Sequence, residues 1–217
     1  MKLLYTPFDY VHAVEAVINY SECHDQIEPI PTDPFAENPD ALTQNNPLGT
    51  VPTLITDAGV PLFGGPVVYE FLDSLHDKPR LFPRNAEQCL IARRRLWLAD
   101  AIFDAAVRLV IEGWQPVGAI RPDYAERTWG KVERGLDAFE EEVSTFATLD
   151  IGQLRLVTSI NYLDTKLPSP FNSVIARIGE RYDWRTERPT LSTWHAKSAK
   201  DAIFTSFLDP ALSRGTA

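Results

Sequence analysis

Residues 46–75 read NPLGTVPTLITDAGVPLFGGPVVYEFLDSL, a loop, a strand, a tight turn, a second strand and a helix. Thr53-Leu54-Ile55-Thr56 is short and β-rich. Asp57-Ala58-Gly59 is turn chemistry, with Gly59 free to take a positive φ. Pro61-Leu62-Phe63 returns as a second strand, so the pair predicts an antiparallel hairpin. Gly64-Gly65-Pro66 ends that strand and opens a helix, and Pro66 suits the first helical position, where a missing N–H costs nothing. Val67, Phe71, Leu72 and Leu75 repeat at helical spacing and predict the face turned to a core. Pro52 cannot donate to a ladder, so it marks the bend at which the first strand begins. Spacing alone reads it as a trans turn proline.

Upstream, Lys2-Leu3-Leu4-Tyr5 is a first strand and Thr6-Pro7-Phe8-Asp9 the turn after it. Val11, Val14, Val17 and Ile18 predict a helix over about 10–21, with Asp9 as its N-cap. Gln26-Ile27-Glu28-Pro29-Ile30 is a second strand, and Pro29 puts it at a sheet edge. One short helix is expected around 40–44. The order β-α-β-(α)-β-β-α contains one crossover suited to a parallel pair.

Residues 77–84 carry two prolines and no periodicity, and read as a linker between a domain over 1–76 and another over 85–217. Beyond it strand patterns vanish. A long helix is predicted over 87–113, with Leu90, Leu96, Ile102, Phe103, Val107 and Val110 in its apolar positions. A second spans about 122–146 through Trp129, Val132, Leu136, Phe139 and Val143. Shorter helices are expected at 151–164, 171–182, 189–199 and 200–207. Asp150 and Gln153 stand at capping-box spacing before the first of these. The fold class is thus a mixed α/β domain followed by an all-α domain.

With 44% hydrophobic residues in 217, the chain can bury a substantial core. No run of about 18 apolar residues exists, so no membrane span is expected. The start, MKLLYTPFDY, reads as a strand rather than a signal peptide. Cys23 and Cys89 lie far apart and lack a Cys-x-x-Cys partner, which excludes thioredoxin-type redox chemistry and points to the reducing cytoplasm. His12, His24, His76 and His195 show no metal-ligand spacing; they read as surface residues, and no metal is expected. The net charge of −9 is uneven: residues 1–76 hold one basic residue, Lys2, against eleven acidic ones. Such a domain disfavours nucleic acid as a partner and is a weak long-range attractor for an anionic ligand, although screening leaves local donors effective.

The hairpin stretch resembles the thioredoxin-like domain of the glutathione transferases, whose pattern is N-P-x-G-x-V-P-x-L, a hairpin, an acidic residue, Ser and a helix ending in Y-L-D. Asn46, Pro47, Gly49, Val51, Pro52 and Leu54 match its first part, and Tyr69-Glu70-Phe71-Leu72-Asp73 its helix. The capping box resembles the one that opens the family's buried sixth helix. Tyr182-Asp183-Trp184-Arg185 and the run from Arg188 to Trp194 resemble a bacterial branch of the family, so the likeness covers nearly the whole chain.

The resemblance implies a thioredoxin-like fold for the first domain and a cis bond at Pro52. It also implies a Val51 main chain that pairs with the cysteinyl unit of glutathione. The family's acidic-Ser pair, which holds the γ-glutamyl end, falls on Gly64-Gly65; only the Gly65 backbone N–H at a helix N-terminus remains there. A hydroxyl near the first strand's end is implied as the donor that lowers the glutathione thiol pKa. Tyr5, Tyr10 and Thr6 are the candidates. A carboxylate such as Asp9 would act in the opposite sense. Phe8, Phe103, Asp104 and Arg108 are implied as substrate-pocket residues. Arg108 is a candidate counter-charge, although Asp100, Asp104 and Arg108 also fit an exposed ion-pair row. Two readings stay open. One is a homodimeric transferase conjugating glutathione, as co-substrate, to a small apolar electrophile. The other is a non-catalytic binding or protein-interaction module on the same scaffold.

Overall fold

The computed structural model describes residues 1–6, 11–36, 40–116, 119, 121–166, 183–206 and 208. The expected turn at 7–10, with the Asp9 cap, and the helix at 171–182 lie outside them. The chain forms two compact units. One holds Met1–Ala86 together with the stretch from Asp201, and the other holds Glu87–Lys200. The sequence places all of 85–217 in the second domain, whereas the stretch from Asp201 packs on the first unit.

In the first unit, β1 (Lys2–Tyr5), α1 (His12–Ser21), β2 (Glu28–Pro31), α2 (Asp40–Thr43), β3 (Thr53–Ile55), β4 (Pro61–Phe63) and α3 (Gly65–Asp73) follow in order. The sheet order is β2-β1-β3-β4, with β1 parallel to β2 and antiparallel to β3. β2 is an edge strand, as a strand carrying Pro29 and Pro31 must be to avoid breaking a central ladder. The β3–β4 hairpin is antiparallel, and its turn residue Gly59 has φ +77. Leu3, Leu54, Val14, Val17, Ile18 and Leu72 are fully buried at the centre.

The α3 helix is rotated from the face its apolar spacing predicts. Val68, Tyr69 and Leu72 are buried, whereas Val67 is 52% and Leu75 36% exposed. The carboxylate of Asp73 fixes this rotation. It is buried, accepting the N–H of Leu81 at 2.8 Å and of Phe82 at 3.1 Å. Two backbone donors that would otherwise be buried without partners thus turn a charged residue inward.

Glu15 is a second inward carboxylate, 2% exposed. It accepts from Ser206 Oγ at 2.7 Å and Leu208 N at 3.1 Å, and pairs with His12 Nδ1 at 3.2 Å. Burial pushes its pKa up, but the hydrogen bonds from His12, Ser206 and Leu208 outweigh it and hold the carboxyl below its usual range. Asn19 Nδ2 donates to Ile203 O and Thr205 O, so α1 holds the returning chain at two places. The helix expected over 200–207 is only a 3-10 turn, Ala202–Phe204, capped by Asp201.

The second unit contains α4 (Ala86–Gly113), α5 (Pro122–Glu142), α6 (Ile151–Lys166), α7 (Trp184–Glu187) and α8 (Pro189–Ser198). A 3-10 turn, Val143–Thr145, takes over where α5 was expected to continue. Ile151 through Ile160 are all buried, so the start of α6 is surrounded by protein. Its first N–H groups need partners. Asp150 supplies one, accepting Gln153 N at 2.9 Å. The Gln153 amide reaches Thr148 O and Asp150 Oδ2 rather than closing the reciprocal half of the box. Arg95 of α4 donates to Asp150 Oδ2 at 2.6 Å and to Glu142 Oε1 at 2.8 Å, and its guanidinium lies 4.5 Å from the Phe146 ring centroid. Gly152 permits this approach: a Cβ there would fall 2.2 Å from Arg95 Cβ. The face of α4 turned inward is therefore Ala92, Arg95, Leu96 and Ala99, and Leu90, expected in the core, is 69% exposed.

His195 is not a surface residue. It is 5% exposed, bonded through Nε2 to Asn161 Oδ1 at 2.9 Å, with Trp184 edge-on at 5.8 Å. Burial lowers its pKa to about 4, against an ordinary 6.5, with Asp164 partly opposing the shift. The unfolded chain therefore binds a proton near pH 6.5 that the folded protein refuses until about pH 4. Stability falls as the pH drops through that window, by up to about 3 kcal/mol for a shift of this size. Urea unfolding from pH 7 to 4 should show this loss in the native protein and a markedly smaller one in His195→Phe. Equal slopes in both would contradict a buried neutral imidazole.

Candidate functional site

Strand register gathers six of the predicted residues at one end of the first unit's sheet. Leu4 pairs with Thr53, so Tyr5 and Thr6 lie just past that pair as β1 runs out. Thr53 pairs in turn with Phe63. Val51-Pro52 enters β3 and Gly64-Gly65 leaves β4 at this same end. The Val51–Pro52 bond is cis, as the family likeness implies.

Asn46 holds the loop in place. Its side chain is fully buried, with Nδ2 2.9 Å from Thr50 O and 3.0 Å from both Thr50 Oγ1 and Thr53 Oγ1. Its Oδ1 accepts Leu48 N at 3.0 Å, its N–H donates to Leu42 O, and its carbonyl takes Gly49 N at 2.9 Å. Thr53 Oγ1 donates to Thr50 O. The loop's turn is thereby tied to the first residue of β3. Val51 is left half-buried, and its backbone N–H and C=O make no hydrogen bond among the described residues. A main-chain donor and acceptor fixed side by side suit an extended peptide lying alongside.

Gly64 turns the chain from β4 into α3 with φ +82, a conformation favouring glycine. Its carbonyl accepts Val67 N at 3.0 Å and Val68 N at 3.2 Å. Pro66 has no N–H. The Gly65 N–H is therefore the first-turn donor left for a ligand, at the positive end of a nine-residue helix.

Tyr5 and Thr6 are 6% and 4% exposed, and the Tyr5 carbonyl accepts Thr32 N at 2.6 Å. Phe8 and Tyr10 lie outside the described residues. The other three predicted residues belong to the second unit. Phe103 is a core residue there, 4.7 Å from Tyr162 by ring centroid and beneath the Arg155 guanidinium at 4.0 Å. Asp104 and Arg108 form an exposed pair at 3.3 Å. Asp100 does not extend their row. It turns instead to the buried Arg155, at 2.5 Å. Arg108 lines an open groove of about 420 Å³ with Ile111, Glu112, Arg121 and Tyr124. Among the described residues no group of three His, Cys, Asp or Glu side chains is placed to hold a metal, and no helix is long and apolar enough to cross a membrane.

A thioredoxin-like sheet with a proline-led hairpin, followed by a helical unit built on a buried capped helix, is the architecture of the glutathione transferases. Comparison with known proteins agrees. Residues 9–75 match the model of the glutathione S-transferase N-terminal domain. An uncharacterised GST-like protein, YibF, of Escherichia coli K12 is 29% identical over 133 residues, a match spanning 59% of this chain and 66% of that one. A glutathione S-transferase of Methylobacillus flagellatus KT, solved with GSH bound, superposes with a TM-score of 0.80 at 25% identity, covering 94% of this chain and 96% of that one. A family member from Pseudomonas fluorescens Pf-5, with bound glutathione, gives 0.81 at 23% over the same shares. The chain's first unit is thus similar to the glutathione S-transferase N-terminal domain, and its fold to that of solved glutathione transferases.

Asn46 entered the sequence reading only as a motif letter, although several apolar and turn residues depend on it. Its replacement by alanine removes the acceptor of the Leu48 N–H and the donor to both threonine hydroxyls. Asn46→Ala should lose about 2–3 kcal/mol in urea unfolding. A loss below about 0.5 kcal/mol, the size of an ordinary surface change, would show that the loop does not depend on it.

Proposed function

We propose that this protein binds glutathione in its first unit and transfers the glutathione thiol to a small apolar electrophile. The observation that carries this reading is the pairing of two main-chain features at one sheet end: the unpaired Val51 N–H and C=O, and the Gly65 N–H at the start of α3. The first suits the cysteinyl unit of glutathione and the second its γ-glutamyl carboxylate. Neither needs the side chains that Gly64 and Gly65 lack. The glutathione-bound relatives support the same ligand.

Conjugation needs a thiolate near neutral pH, and a hydroxyl donating to the sulfur lowers its pKa. Tyr5, Thr6 and Tyr10 are the hydroxyls we assign to this task as alternatives. The apolar partner would be held by the second unit, with the exposed Asp104 and Arg108 as proposed neighbours. We further propose a homodimer in the cytoplasm; the exposed Leu90 and Trp97, seven residues apart on α4, give it an apolar stripe.

Calorimetric titration of the reduced protein with glutathione tests the reading. Binding with Kd between about 1 µM and a few mM is expected. Among Tyr5→Phe, Thr6→Val and Tyr10→Phe, the variant that removes the donor should lose about 100-fold in conjugation to an activated aryl chloride while keeping its glutathione affinity. Binding without conjugation would favour the binding-module reading. No heat up to about 10 mM glutathione, weaker than a millimolar site at ~4 kcal/mol, would contradict the proposal.

A further inference from the structure

Where α4 ends and α5 begins, a buried carboxylate holds an exposed arginine. Glu112 lies in the last turn of α4, and its side chain is 4% exposed. Arg121, the residue before α5, gives it three hydrogen bonds. The backbone N–H and Nε reach Oε1 at 2.8 and 3.1 Å, and Nη2 reaches Oε2 at 2.6 Å. These bonds hold the Glu112 carboxyl below its usual range, so it stays charged with both oxygens occupied. The guanidinium also stacks on Tyr124, 4.4 Å from the ring centroid. The Arg121 side chain is nevertheless 66% exposed. One edge of the cation, Nε and Nη2, is thus fixed, while Nη1 makes no hydrogen bond among the described residues.

Arg108 comes up to the same ring. The Tyr124 phenol lies beside its guanidinium, and Nη2 reaches Asp104 at 3.3 Å in an exposed i, i+4 pair of small energy. A guanidinium carries five N–H donors, so both arginines keep donors for a further partner. They line the open groove of about 420 Å³ together with Ile111, whose exposed side chain gives it an apolar wall. Such a volume suits a small molecule. The charged residues of the lining are Arg108, Arg121 and Glu112, and the carboxylate is covered by Arg121. The charge the groove presents is therefore cationic.

We infer that this groove binds a small carboxylate with an aromatic body. Arg121 Nη1 and Arg108 donate to the carboxylate, and the body lies along Ile111 and Tyr124. The inference concerns the second unit alone and holds whether or not the first unit binds glutathione. A guanidinium fixed in advance meets a carboxylate without the loss of side-chain freedom that a loose arginine suffers. Glu112 and the Tyr124 ring act as its positioning groups.

The test is calorimetric titration of the full chain with 3-phenylpropanoate and with 3-phenylpropanamide, which keeps the ring and lacks the charge. The carboxylate is expected to bind in the micromolar to low-millimolar range, and the amide at least about tenfold more weakly. Arg108→Gln should weaken the carboxylate about tenfold and leave the amide unchanged. Arg121→Lys keeps a cation for Glu112 but has no second edge, and should show the same selective loss. Raising the salt from about 0.05 to about 0.5 M should weaken the carboxylate and spare the amide. Thermal melts check folding. Arg108 is exposed and its removal leaves the fold standing, so Arg108→Gln decides alone if Arg121→Lys does not fold. No heat with the carboxylate up to about 10 mM would overturn the inference. So would equal affinity for the two ligands, or wild-type affinity for the carboxylate in Arg108→Gln.

Discussion

The buried amide of Asn46 is the constraint on which the first unit's site depends. One side chain bonds the loop at Leu48 and Thr50 and the first residue of β3 at Thr53. Because Thr53 is in register with both Leu4 and Phe63, the loop's position is fixed relative to the ends of β1 and β4. Val51 is then presented with its main chain unpaired, while its neighbours are held. A flexible loop would have to lose this freedom on binding a ligand, at a cost in entropy; one that is already bonded does not.

The second unit has its own organising contact, between the guanidinium of Arg95 and the carboxylate of Asp150. Neither charge is tolerable alone inside protein. Asp150 is also the cap of α6, and Arg95 also holds Glu142, so α4, α6 and the end of α5 meet at one cluster. Gly152 is the steric half of the same arrangement, since α4 and α6 approach until a methyl group no longer fits.

Much of this was legible in the sequence because local chemistry dictates it. The hairpin, the edge position of β2 and the two long helices follow from proline, glycine and apolar spacing. What escaped depends on partners far along the chain. Glu15 is buried because Ser206, 191 residues away, donates to it. Asp73 turns inward, and takes α3 with it, for the N–H groups of Leu81 and Phe82. His195 is neutral and buried because Asn161 and Trp184 meet it from other elements.

The glycines at 64 and 65 looked, as letters, like the loss of a binding motif. In the fold they leave an exposed helix start whose Gly65 N–H is not taken up within the helix, beside a loop where the Val51 main chain is unpaired among the described residues. An amide-resolved NMR titration of the protein with glutathione tests this account most directly. The account predicts that the amides of Val51, Gly64, Gly65 and Val67 shift together along one saturating curve, with those of Leu48 and Thr50 nearly still. Shifts confined to other regions, or none at millimolar glutathione, would contradict it.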